Sequence, residues 1–160
     1  MRVERSESGL AIDAADEAGT ERLGRALARV AGPGTVIGLV GPLGAGKTRL
    51  TRAIAEALGA DPAAIASPTF VLIHEYEASP PVYHFDAYRL GSPEQFDALG
   101  AADYWDAGGV CLVEWADRVA DRLPAGSWWV RVEPTGPGSR RFVVAVPPEV
   151  AEALAASLAV

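Results

Sequence analysis

The stretch Val36-Ile37-Gly38-Leu39-Val40-Gly41-Pro42-Leu43-Gly44-Ala45-Gly46-Lys47-Thr48 decides how the chain reads. An apolar run is followed by G-x-x-x-x-G-K-[ST], so a strand, a glycine-rich loop and a helix arrive in the order that a phosphate-binding P-loop requires. Gly41, Gly44 and Gly46 let the backbone curl until its N–H groups converge on phosphate oxygens. The helix that opens near Lys47 brings its positive dipole end to the same point. The predicted guest is a di- or triphosphate, held along Leu43, Gly44, Ala45 and Gly46 and by the side chains of Lys47 and Thr48. Of the 14 basic residues Lys47 is the only lysine, and the other 13 are arginine. A compact ammonium on a flexible stem bridges β- and γ-phosphates in a tight loop, where a broad planar guanidinium fits less well.

The 160 residues suit one domain spanning 1–160, large enough to bury roughly two-thirds of its unfolded surface. A formal charge of -7 argues against a surface that grips nucleic acid by itself, so any RNA role is expected to run through a partner. The single cysteine, Cys111, lies in an apolar run and reads as a buried thiol in a reducing compartment. Met1 to Glu7 lacks the apolar core of a signal peptide, and no apolar run reaches the length of a membrane span. A cytoplasmic protein without membrane contact is expected.

On the N-terminal side of the P-loop, residues 1–9 are polar and are expected to fray, while Leu10-Ala11-Ile12 is expected to add an edge strand. Asp13 suits a helix start. Leu23, Ala26, Leu27 and Val30 recur at helical spacing, which predicts an amphipathic helix from about Ala14 to Val30. On the other side, the P-loop helix runs through Ile54 and Leu58 to a C-cap at Gly59. Ser67-Pro68-Thr69-Phe70 leads into a strand, Val71 to Tyr76, and Ser79-Pro80-Pro81 turns into a second, Val82 to Arg89, predicting a hairpin. Alternation puts His84, Asp86 and Tyr88 on one face of that second strand and Tyr83, Phe85 and Ala87 on the other. Ser92-Pro93-Glu94-Gln95 starts a helix from Glu94 to Leu99, closed by Gly100. Gly109 to Val113 is a continuous apolar run, as in a buried parallel strand, and delivers Glu114-Trp115 at its C-terminal end. A short helix from Ala116 to Leu123, strands at Ser127–Glu133 and Arg140–Val146, and a closing helix from Glu149 to Leu158 complete the reading.

A P-loop works with magnesium, and the ion needs the Thr48 hydroxyl and an acid from a neighbouring strand. Glu114 and Asp86 are both placed for it, and spacing leaves open which touches the metal directly. Ser67 and Thr69 flank Pro68 in a loop where a hydroxyl can sense a γ-phosphate. His74 and His84 show no zinc-ligand spacing with the single cysteine and read as ordinary strand histidines. Trp115 follows the candidate metal acid and is expected near the nucleotide. Arg118 and Arg122, beside Asp117 and Asp121, read as a solvated helix face rather than an anion clamp.

Four motifs in order give the chain a resemblance to the TsaE (also called YjeE) family: the P-loop at Gly41–Thr48, Ser67-Pro68-Thr69-Phe70, His84-Phe85-Asp86-Ala87-Tyr88-Arg89-Leu90 and Leu112-Val113-Glu114-Trp115. The similarity runs from roughly Thr20 to Arg141, and the second and third motifs are what make it specific. It implies an α/β single-domain P-loop NTPase fold: a mixed, mostly parallel sheet flanked by helices, to which the hairpin above adds antiparallel strands. It further implies ATP and magnesium binding, and action beside TsaB and TsaD in placing a threonylcarbamoyl group on adenosine 37 of tRNAs that read codons beginning with A. By the same resemblance Lys47 and Thr48 carry phosphate and metal, Glu114 binds magnesium, Asp86 supports hydrolysis, Thr69 belongs to a switch loop, and Arg140 or Arg141 contacts the nucleotide. Pro42, where the family usually has Asp, and Ala87, where it has a bulkier apolar residue, depart from the pattern. Pro42 removes a backbone N–H from the loop.

Three rivals are weighed against the ATPase. A small-molecule kinase fits the size but would draw its lid arginines from Arg118 and Arg122. A GTPase would need a second lysine for the familiar guanine-reading motif. A docking module that binds ATP without using its hydrolysis differs in whether Glu114 matters for activity.

Overall fold

The structure, a computed structural model, describes residues 1–65 and 72–160. The chain order is β1 (Arg2–Ser6), β2 (Gly9–Ala14), α1 (Glu17–Val30), β3 (Val36–Val40), α2 (Lys47–Ala57), β4 (Ile73–Tyr76), β5 (Val82–Asp86), α3 (Pro93–Ala98), α4 (Ala101–Trp105), β6 (Val110–Glu114), a 3-10 helix (Ala116–Arg122), β7 (Trp128–Pro134), β8 (Arg140–Ala145) and α5 (Pro148–Ala159). The strands form one sheet in the order β1-β2-β8-β7-β3-β6-β5-β4. Its centre is parallel, β7-β3-β6-β5, and the pairings outside it are antiparallel. This is the α/β fold expected, with the P-loop strand β3 in the middle and the β4–β5 hairpin on one side.

The two innermost strands, β3 and β6, are apolar up to Glu114 because both faces are covered. Alternation on β6 sends Val110 and Leu112 into the core beneath α1, α2 and α5, and Cys111 and Val113 into a second core with Phe85, Phe96, Ala116 and Val119. Burial pushes the Cys111 thiol up to about 12, so it is inert, as its apolar run suggests.

Several elements differ from the sequence reading. Residues 2–6 are not frayed: they pair with Gly9–Asp13, so Leu10-Ala11-Ile12 lies one strand in from the edge and β1 takes the edge. β1 is almost entirely exposed, so it lacks the apolar alternation by which a strand is recognised. Asp13 belongs to β2, and Asp16 caps α1 instead by accepting the Gly19 N–H at 2.9 Å. The second hairpin strand stops at Asp86 rather than Arg89. Gln95 accepts the N–H of Gly91, one residue earlier than a capping box would have it. α4 is only one turn long and gave no periodic signal, and the segment after Trp115 is 3-10 rather than α. Ser67-Pro68-Thr69-Phe70 and Val71 lie outside the described residues.

Candidate active site

The C-terminal ends of β3, β5 and β6 meet the start of α2 around an open cavity of about 280 Å³. Leu43, Gly44, Ala45, Gly46, Lys47 and Thr48 form one wall; Asp86, Tyr88, Glu114 and Trp115 form the other. Two loop glycines are dictated by geometry. At Gly41, φ is 149° and a Cβ would stand 2.4 Å from the carbonyl oxygen of Val132; Gly46, with φ at 109°, turns the chain into α2. α2 begins with no side-chain cap and no acid in its first turn, so its free N–H groups and dipole are left for a ligand.

Lys47 is buried against the loop it belongs to. Its Nζ donates to the carbonyls of Gly41 at 2.6 Å and Pro42 at 2.8 Å and sits 3.9 Å from the ring centroid of Trp115. Desolvation lowers its pKa, opposed by the charges of Glu114, Asp117 and Asp86. Trp115 is positioned by a backbone in the left-handed region, φ 58°, the only non-glycine residue with positive φ among those described. This local strain turns the indole from the end of β6 towards the loop. Tyr88 packs on the indole at 4.8 Å between centroids, and Arg118 lies over both rings while donating to the Tyr88 carbonyl at 2.6 Å. Arg122 is held by Glu94, Asp97 and Asp121.

Asp86 and Glu114 are register partners on β5 and β6, which puts both carboxylates on the face of the sheet that carries α2. Thr48 Oγ1 donates to Glu114 Oε1 at 2.7 Å. Glu114 Oε2 is 2.5 Å from His84 Nε2, and His84 Nδ1 is 3.3 Å from the Tyr76 hydroxyl. Alternation along the strand places His84 on the face of Asp86, but the ring is not the ordinary strand histidine that the sequence predicts: Glu114 reaches it through the pairing of β5 with β6. Asp86 Oδ1 accepts the Tyr88 N–H at 2.9 Å. Burial raises the Asp86 pKa and outweighs that hydrogen bond; the Glu114 charge raises it further.

The two late-strand arginines point apart, as neighbours on a strand do. Arg140 Nε donates to the Ala45 carbonyl at 2.5 Å and its Nη1 to the carbonyls of Gly136 and Ser139, so it braces the P-loop from behind. Arg141 Nη1 donates to both carboxylate oxygens of Asp13, each at 2.9 Å, and its Nη2 also meets Glu4. Neither lines the cavity. Thr69 lies outside the described residues.

The sequence profile of the family described as threonylcarbamoyl adenosine biosynthesis protein TsaE matches residues 14–142. The chain belongs to the TsaE family. It is 38% identical over 126 residues to the tRNA threonylcarbamoyladenosine biosynthesis protein TsaE of Treponema pallidum, covering 79% of this chain and 93% of that one. The Bacillus subtilis protein of the same name is 38% identical over 124 residues, 77% of each. Among solved structures, the crystal structure of Bacillus subtilis YdiB superposes with a TM-score of 0.74 at 32% identity, over 99% of this chain and 97% of that one. The TsaE profile spans β3, the P-loop, β5 and β6, and so contains each of the described residues that line the cavity. Among the described residues no helix is long and apolar enough to cross a membrane.

Proposed function

We propose that this TsaE-family chain binds and hydrolyses ATP with magnesium, and serves with TsaB and TsaD in the threonylcarbamoyl modification of adenosine 37 in tRNAs reading codons that begin with A. The observation that carries the reading is the convergence of Lys47, Thr48 and Glu114 on one cavity at the uncapped start of α2. The P-loop backbone holds the phosphates, and Lys47 leaves the carbonyls of Gly41 and Pro42 to meet them. The donor set fits magnesium: Thr48 and Glu114 offer hard oxygens, and no group of three or more His, Cys, Asp or Glu side chains competes for a metal among the described residues. When bound, the ion neutralises charge on the phosphates. Asp86, beside Glu114 and partly desolvated, orients the water that attacks, and Thr69 senses the γ-phosphate from its own loop. Arg140 acts through the P-loop backbone. The acidic surface leaves tRNA to the partners, and the reaction belongs in the cytoplasm.

The kinase alternative loses its support, since Arg118 is engaged by Tyr88 and Arg122 by three acids. The test is reconstitution of the modification on unmodified tRNA with TsaB and TsaD homologues, with and without this chain, together with a pull-down in the presence and absence of ATP. ATP-dependent recovery of both partners and modification that requires the chain are expected. Multiple-turnover modification that proceeds equally without the chain would overturn the reading.

A further inference from the structure

Glu114 is 2% exposed, and its carboxylate faces two environments: Oε1 meets Thr48 at the cavity, while Oε2 turns inward to His84, which is 1% exposed. A buried carboxylate oxygen must accept a hydrogen bond, and among the described contacts the His84 ring supplies the one to Oε2. An ionised carboxylate can only accept, so the ring nitrogen facing it, Nε2, carries the proton and donates to Glu114, while the buried Tyr76 hydroxyl on the neighbouring β4 holds the ring from the other side, 3.3 Å from Nδ1. The chain Tyr76–His84–Glu114–Thr48 thus runs from the hairpin, across one face of the sheet, to the metal side of the cavity.

We propose that His84 is a positioning residue for the metal-binding acid: its Nε2–H, on a ring held by Tyr76, clamps one oxygen of Glu114 so that the other is presented, rotationally fixed, beside Thr48. This rests on the reading of Glu114 and Thr48 as the magnesium side of an ATP site. A free carboxylate at the end of β6 would rotate about its last torsion and lose the preorganisation that a demanding cation needs. Tyr76 completes the clamp from outside.

The test compares His84→Gln, His84→Asn and Tyr76→Phe with the parent chain, measuring ATP affinity by calorimetry across a magnesium titration and without the metal. A glutamine amide reaches the position of Nε2, whereas an asparagine amide stops near Nδ1, so the two variants carry the same polar group into the same buried site but only one can clamp. His84→Asn is expected to raise the magnesium concentration for half-maximal tightening about tenfold, the scale seen when partners of metal ligands are removed. His84→Gln should restore it to within roughly threefold, and Tyr76→Phe should fall between, while metal-free ATP affinity stays constant throughout. Equal magnesium dependence in His84→Asn and the parent would overturn the inference. So would equal losses in His84→Asn and His84→Gln, which would mark the histidine as a packing residue. A parent chain whose ATP binding ignores magnesium would instead bring down the reading of the site itself, and this inference with it.

Discussion

Asp86 and Glu114 stand opposite one another on adjacent parallel strands, so the sheet delivers two carboxylates to one cavity with different surroundings. Glu114 is clamped between a histidine and a threonine; Asp86 is partly desolvated and accepts a single backbone N–H. Glu114→Gln and Asp86→Asn are therefore both expected to reduce magnesium-dependent hydrolysis by about a hundredfold or more, and ATP affinity by much less. Phosphate release and calorimetry on the same preparations check it, and a variant that hydrolyses at the parent rate removes that residue from the site.

The Asp86 carboxyl also has a consequence for stability. Its pKa in the folded chain is raised by burial above the ordinary 3.8, so between those values the folded state holds more protons than the unfolded one and stability falls as pH rises. The cost is complete above the raised value and absent below the ordinary one. Asp86→Asn keeps the acceptor for the Tyr88 N–H and removes the charge, so its melting temperature is expected to exceed the parent's at pH 7. The gain should disappear as pH is lowered below 4.

Lys47→Ala removes the one lysine of the chain from the cavity. Loss of charge-assisted contacts worth about 1.5–3 kcal/mol should weaken ATP binding roughly 10- to 150-fold, with a fold that stays intact by circular dichroism. Unchanged affinity would refute the phosphate role of the loop.

Arg140 and Arg141 should separate cleanly. Arg140→Lys keeps the charge but loses the fork that ties Ala45 to the 136–139 turn, and ATP affinity is expected to fall roughly three- to tenfold. Arg141→Ala breaks the pair with Asp13 and should lower the melting temperature while leaving ATP affinity untouched. A reversed pattern would mean that Arg141, not Arg140, serves the nucleotide.

Among the described residues that line the cavity Lys47 is a cation and none is an arginine, with Arg140 turned to the loop backbone and Arg118 to Tyr88, whereas the proposed hydrolysis needs positive charge on its transition state. Steady-state phosphate release by the isolated chain is expected to be slow and to rise at least about tenfold on addition of TsaB and TsaD homologues. An isolated chain that turns over as fast as the assembly would show a site complete in itself.

What could be read from the sequence was local. The P-loop announces itself because strand, glycines and helix are contiguous; an apolar run places Glu114 at a strand end, and alternation places Asp86 on the polar face of its strand, though not at its end. What could not be read depends on pairing across the sheet. Which of Arg140 and Arg141 faces the P-loop follows from the register of β8 against β7 and β2, and the grip of His84 on Glu114 from the alignment of β5 with β6. The left-handed backbone at Trp115 has no glycine to signal it, and β1 is held by backbone pairing rather than by an apolar face. The Ser67-Pro68-Thr69-Phe70 motif, specific in sequence, lies outside the described residues.

An open sheet ends in two strands with unpaired backbone groups, and here both are poor templates for growth. β1 carries Arg2, Glu4 and Arg5 among its five exposed or half-exposed residues, and β4 is four residues long with Glu75 outward. A neighbouring molecule seeking to add a strand would meet charge at one margin and too few rungs at the other. The sheet can therefore keep its buried apolar strands β3 and β6 without turning the protein into a seed for its own aggregation.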